Sequence, residues 1–147
     1  MIQHIDVHAV LQQSVPGYYA DLVTRHTGRA VRERIERDIA GRGATIAVMD
    51  FSRVGCLDYS CADEIVAKLV RERVEVLLLR GLSDAHREAI EPVLREHGLA
   101  VAIERPGGGG VLDVLGPAET AGWLLEELVA RRLATRTAGG TFALTVS

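Results

Sequence analysis

The sequence predicts an α/β domain in which helices pack against a central, mostly parallel mixed sheet of about four to six strands. Hydrophobic residues make up 48% of the 147 positions, yet only 4% are aromatic. The core must therefore be aliphatic, and Val- and Ile-rich runs suit parallel strands. Through the middle of the chain, apolar runs of strand length alternate with stretches of helical period. Short links between them favour parallel strands joined by crossover helices. The length fits a single core, and neither an internal repeat nor a second core is visible, so 1–147 is read as one domain.

The elements follow in order. Residues 2–11 hold Ile2, Val7, Val10 and Leu11 without a clean period and are read as one or two short strands. Pro16-Gly17 marks a turn, and 18–23 suits a short extended segment. Thr24 or Thr27 opens a helix to about residue 40, with Val31, Ile35 and Ile39 as its apolar stripe. Gly41 and Gly43 close it. Residues 45–51 form a buried strand, central in the sheet. Asp58 caps a helix to about residue 73, with Ala62, Ile65, Val66, Leu69 and Val70 inward. Residues 74–79 are the next strand. Ser83 caps a helix facing inward through Ile90, Val93 and Leu94. Pro92 should bend or split that helix, and Gly98 ends it. Strands at 99–103 and 111–115 flank the four-glycine loop 107–110. Pro117 then starts a last helix, with Ala121, Leu124, Leu125, Leu128 and Val129 inward and Trp123 at the edge. In the tail, 142–146 suits an edge strand.

Composition also narrows the function. The formal net charge is -3, so no basic excess is present to grip a nucleic-acid backbone. The arginines of 25–42 alternate with Glu33, Glu36 and Asp38 and read as a solvated helix face with i,i+4 pairs. The N-terminus lacks the pattern of a signal peptide. No apolar run reaches the ~18 residues of a membrane span. A cytoplasmic location follows as the expectation. Cys56 and Cys61, five apart, make no disulfide framework. As metal ligands they would lack partners at a suitable spacing, so neither a metal nor a cofactor is expected.

The most informative stretch is Asp50-Phe-Ser-Arg-Val-Gly-Cys-Leu-Asp-Tyr-Ser-Cys-Ala-Asp-Glu-Ile. A strand hands over to a helix within a few residues, which aims backbone N–H groups at solvent. Such places bind anions, accept phosphorylation or meet partners. The stretch resembles the central motif of STAS domains, which include the anti-sigma-factor antagonists and the C-terminal domains of sulfate transporters. Their usual run is a strand ending in Asp-Leu-Ser, then Asp-Ser-Ser-Gly opening a helix. Asp50-Phe51-Ser52 stands for the first part and Leu57-Asp58-Tyr59-Ser60-Cys61 for the second. The resemblance covers about 44–104, with 1–43 and 105–147 as extensions that match less closely. It implies a non-enzymatic signalling module that docks onto a protein partner, such as a histidine-kinase-like ATPase of the anti-sigma type. Three positions depart from the motif. Tyr59 stands where those antagonists carry their phosphorylated serine, Ser60 matches the second serine, and Cys61 replaces the glycine.

The expected partner-binding and regulatory residues are therefore Asp58, Tyr59, Ser60, Cys61, Asp63 and Glu64. Asp58 is first a helix cap, worth about 1 kcal/mol against Ala. Ser60 is the one candidate phosphoacceptor, beside the simpler reading of a first-turn serine. A phosphate there brings about -1.5 to -2 charges, which Asp58, Asp63 and Glu64 would repel within one turn. Those acids already occupy the favourable end of the helix dipole. Cys61 reads as a small buried residue. His4 and His8 would share a strand face, and His86 and His97 a helix face, all solvated. The glycines at 107–110 lack the Gly-Lys-Ser/Thr of a phosphate loop. No nucleophile, base and orienting group assemble, so no catalytic residue is expected. Two alternatives remain open. One is a small ligand-binding or enzymatic domain using the same loop, which requires a deep pocket at the strand ends holding Asp50, Asp58 or Cys61. The other is a homodimerisation module built on 118–133 with Trp123.

Overall fold

In a computed structural model the chain is described over residues 2–15, 20–43, 46–72, 74, 76–105 and 110–145, with Arg42 represented by its backbone alone. Seven strands form one mixed sheet in the order β1-β2-β3-β4-β5-β7-β6. The parallel half contains β1 (Ile2–Asp6), β2 (Ile46–Asp50), β3 (Val76–Arg80) and β4 (Val101–Glu104). The antiparallel half contains β5 (Val111–Leu115), β6 (Ala134–Arg136) and β7 (Phe142–Leu144). The α/β class and the mixed sheet agree with the sequence. The strand not expected is β6, which pairs with β7; the strand expected at 142–146 as an edge therefore lies between β5 and β6, and β6 takes the edge.

The two sheet faces separate cleanly by alternation, because successive side chains of a strand point to opposite sides. Ala47, Met49, Leu77, Leu79, Val101 and Ile103 join one cluster. Over that face lie α1 (Val7–Ser14), α2 (Arg25–Arg42), a helix in three parts, and α5 (Asp84–His97). The three parts are α3 (Tyr59–Ala62), a π-helical turn (Asp63–Ala67) and α4 (Lys68–Glu72). Val48, Val76, Leu78, Ala100, Ala102 and Leu112 make the second cluster with Leu124 and Leu128 of α6 (Ala118–Ala130). Burial on both faces explains why these strands read as unbroken apolar runs.

Several expectations need correction. Residues 7–11 are helical, not extended. Asp6 ends β1 and caps α1 by accepting from the Ala9 amide at 3.3 Å. Val7, Val10 and Leu11 then fall at i, i+3 and i+4 on one buried face. His8 accordingly lies in α1, buried, and shares no strand face with His4. Pro117 is the cap of α6 and not its first helical residue. Gly43, with φ +65, closes α2, while Gly41 lies inside it. Within the extended segment expected at 18–23, Leu22 makes a parallel bridge to Leu57. The expected turn at 16–17 and residues 18–19, 45, 73, 75, 107–109 and 146 lie outside the described residues.

Pro92 neither splits nor ends α5, which runs unbroken from Asp84 to His97. Its ring lies on the exposed side, so the cost is confined to a missing N–H bond and local crowding of the preceding turn. Pro92→Ala should restore that bond and stabilise the protein by about 1–3 kcal/mol. Thermal unfolding would show a higher Tm; an unchanged or lower Tm would mean that the helix is not strained there.

Candidate functional site

The loop between β2 and α3 is held from both sides. Asp50 Oδ1 accepts the Ser52 amide at 2.8 Å, and the Phe51 carbonyl accepts the Val54 amide at 3.0 Å. The segment 20–22 clamps the far side of the loop. The Gly55 amide donates to the Ala20 carbonyl at 2.6 Å, the Leu22 amide to the Cys56 carbonyl at 2.8 Å, and the Asp58 amide to the Leu22 carbonyl at 2.9 Å. Asp21 Oδ1 takes the Cys56 amide at 2.7 Å.

From the opposite side comes His86, buried and tilted against Phe51 with ring centroids 5.9 Å apart. Its Nδ1 accepts the Ser83 amide at 3.1 Å, so the proton sits on Nε2, which donates to the Gly55 carbonyl at 2.6 Å. One neutral tautomer thus caps α5 and fixes the loop together. The expectation of a solvated His86 fails for this reason.

Asp58 caps the next helix as expected. Its Oδ1 accepts the Cys61 amide at 2.9 Å and the Ser60 hydroxyl at 2.8 Å. Tyr59 is 43% exposed, and its hydroxyl donates to Glu96 Oε2 on α5. Cys61 is buried, and its thiol donates to the Thr24 carbonyl at 3.0 Å. Burial, and then the neighbouring Asp58 charge, push that thiol up to about 12. It is therefore not a nucleophile at neutral pH. Opposite it, Gly28 of α2 comes so close that a Cβ there would lie 3.0 Å from the Cys61 Cα.

Beyond the first turn, the helix shifts to π geometry over Asp63–Ala67. Glu64, Ile65, Val66 and Ala67 are all buried in succession, because α2 and α5 pack on this turn from two sides. Glu64 has no solvent exposure. It meets Lys68 Nζ at 3.0 Å, Arg32 Nε at 3.0 Å and Arg25 Nη1 at 3.1 Å, with Arg29 at 3.9 Å. Asp63 takes Arg25 at 2.9 Å and His97 Nε2 at 3.0 Å. Arg71 Nη1 donates to His97 Nδ1 at 3.2 Å, which leaves the His97 proton on Nε2, facing Asp63. Burial pushes the Glu64 carboxyl up, but hydrogen bonds from Lys68, Arg32 and Arg25 outweigh it and leave the group below its ordinary range. Asp63 is lowered in the same way, burial being outweighed by Arg25 and His97.

Of the sequence-predicted site residues, Tyr59 is therefore exposed, Asp58, Ser60 and Asp63 are half-buried, and Cys61 and Glu64 lie inside. Cys61 and Glu64 shape this surface from beneath. The arginine stretch is only partly a solvated face. Arg32–Glu36 and Arg34–Asp38 form the expected i,i+4 pairs, but Arg25, Arg29 and Arg32 turn toward Glu64. Their i, i+4, i+7 spacing places them on one side of α2 and was the readable signal for this.

A second concave region lies at the carboxyl ends of the parallel strands. Asp6, Asp50 and Arg80 are cross-strand neighbours in register there. Glu104 follows on β4 and accepts from Arg80 Nε at 2.6 Å. One open depression of about 320 Å³ holds Asp50, Ser52, Arg80, Gly81, Glu104 and Arg105. Another, of about 260 Å³, shares Asp50 and Arg80 and adds His4 and Asp6. These depressions hold Asp50 but are open and not the deep pocket expected of a ligand-binding or enzymatic domain, and neither Asp58 nor Cys61 lines them. Among the described residues, no group of three or more His, Cys, Asp and Glu is placed to hold a metal ion, and no helix is long and apolar enough to cross a membrane.

No family model, curated protein or solved structure matches this chain.

Glu64→Gln keeps the side chain's shape but leaves three cations facing a neutral amide, and should cost about 3 kcal/mol. Because Glu64 and Asp63 titrate below their unfolded values of about 4.3 and 3.9, their contribution is complete above about pH 5 and is lost as pH falls through the carboxylate range. The native protein's Tm should therefore fall with acid more steeply than that of Glu64→Gln. Parallel Tm–pH curves for the two proteins would refute the Glu64 contribution.

Proposed function

We propose that the protein is a regulatory protein-interaction module that docks through the loop and helix start spanning 52–66, as the STAS domains it resembles in sequence are expected to do. One observation carries this reading. Among the described residues, the large hydrophobic side chains left exposed are Val23 at 51%, Tyr59 at 43% and Trp123 at 61%. Val23 and Tyr59 sit on the two segments that the Leu22–Leu57 bridge joins. Exposed aromatic and aliphatic side chains on segments held by backbone hydrogen bonds are the usual composition of an interface hot spot.

The rest of the surface supports this role. Asp63 and Glu64 are neutralised internally, so a partner meets apolar and hydroxyl groups and not a cluster of bare acids. Asp58 and Ser60 border the patch. Phosphorylation of Ser60 would remove its hydroxyl bond to Asp58 and set about two negative charges beside the capping carboxylate. A switch there would therefore act by loosening the helix start. The partner class implied by the resemblance is a histidine-kinase-like ATPase of the anti-sigma type, or another signalling domain, in the cytoplasm.

A second reading rests on Trp123. It lies at the rim of a groove between α6 and the α4–β3 connection, lined by Val70, Val74, Leu99 and Leu124, and a second copy of the chain would cover it.

The docking reading is tested with Tyr59→Ala and with a Val23→Asp, Tyr59→Ala double variant against a purified ATPase of that type. Each removed anchor should weaken binding by about thirtyfold, or 2 kcal/mol, with Tm unchanged. Tyr59→Phe, which keeps the ring, should bind nearly normally. Undiminished binding by the double variant would end the proposal. For the Trp123 reading, light scattering at micromolar concentration should give a dimer that Trp123→Ala dissociates; a monomeric native protein would exclude it.

A further inference from the structure

The charged row at the strand ends contains an arrangement that the Val23 and Tyr59 anchors do not use. Adjacent strands lie about 4.8 Å apart, and the register places Asp50 of β2 opposite Arg80 of β3. Opposite charges so close would ordinarily pair, yet Arg80 donates through Nε to Glu104 on its other side. Asp50 uses only Oδ1, for the Ser52 amide. Among the described residues, Asp50 Oδ2, the Ser52 hydroxyl and the two terminal nitrogens of Arg80 have no hydrogen-bonding partner. Both residues line the two adjoining depressions.

The wall beside them is fixed. Gly81 follows Arg80 with φ +70, and a Cβ there would stand 2.8 Å from Asp50 Oδ1 and 2.8 Å from the Ser52 amide nitrogen. Only glycine lets the β3 end approach the Asp50 turn this closely. The depression thus presents a half-buried carboxylate and a guanidinium edge side by side, at the carboxyl ends of parallel strands, where open α/β sheets generally bind ligands. Its volume of about 320 Å³ is at the small end of ligand pockets.

We propose that this depression binds a small zwitterion of the α-amino-acid type. The ligand's ammonium group would donate to Asp50 Oδ2 and the Ser52 hydroxyl. Its carboxylate would accept from the terminal nitrogens of Arg80, in the paired geometry that guanidinium offers carboxylates. A ligand with a lone positive charge would face Arg80 and Arg105, and a lone anion would face Asp50 and Glu104. Adjacent opposite charges satisfy both halves of the site at once. The site shares Ser52 with the 52–66 segment but uses neither Val23 nor Tyr59, so loss of amino-acid binding in the Asp50 and Arg80 variants is distinguishable from loss of docking in the Val23 and Tyr59 variants.

The test is an NMR titration of the amides of Ser52 and Gly81 with the common α-amino acids, using methylammonium and acetate as single-charge controls. At least one amino acid should shift both amides with a Kd at or below about 1 mM, and each control should bind at least about tenfold more weakly. Asp50→Asn retains an acceptor oxygen for the Ser52 amide while removing the charge, and should lose affinity about tenfold or more. Arg80→Gln should lose a similar factor, and Ser52→Ala a smaller one. The proposal is overturned if no amino acid moves these amides by about 10 mM, if either control binds as well as the amino acids, or if the folded Asp50→Asn or Arg80→Gln protein binds undiminished.

Discussion

A carboxylate removed from water loses several kcal/mol of hydration, and only close, well-directed cations can restore it. Glu64 is held under those terms, and the arrangement of this face of the sheet follows from it. Its cations come from two places, Arg25 and Arg32 on α2 and Lys68 one turn further along its own helix. To bring them together, α2 must lie directly over the π-helical turn. That turn in turn rotates Glu64 toward α2 while Ile65 and Val66 stay in the core. The interaction gains less by adding stability than by fixing which helix face meets which, since a misplaced α2 would strand a buried charge.

This constraint reaches the surface through short covalent paths. Asp58 begins the same helix six residues earlier, and its cap sets the direction from which Tyr59 leaves the backbone. Thr24 caps α2 and also accepts the Cys61 thiol through its carbonyl, so the start of α2 and the start of α3 are joined. Val23 precedes that cap. The exposed apolar pair is therefore positioned by a polar interior, and the loop between is clamped by 20–22 on one side and His86 on the other.

Much of the architecture was legible because local signals agreed with each other. Thr24, Asp58 and Ser83 act as the caps their neighbours suggested, and Val31, Ile35 and Ile39 form the buried stripe of α2. Where reading failed, the deciding contact was distant in sequence. Glu64 has the position of a dipole-favoured surface acid in its own helix, and only α2, more than thirty residues away, makes it internal. His86 looked solvated until the Gly55 carbonyl supplied its second partner. Helix α1 is hard to read for a local reason: the period of Val7, Val10 and Leu11 emerges only once Asp6 is recognised as the cap that ends β1. The row of Asp6, Asp50, Arg80 and Glu104 was invisible because register across four strands is not written in any one of them.

The contact between Gly28 and Cys61 has a consequence for how such a chain can vary. A Cβ at position 28 would meet the Cα of residue 61 before its side chain. Shrinking residue 61 to glycine would remove Cβ and Sγ but leave that Cα in place. A side chain at 28 therefore requires the two helices themselves to move apart. The restriction on descent at this crossing falls on the spacing of α2 and α3, and no single exchange at position 61 lifts it.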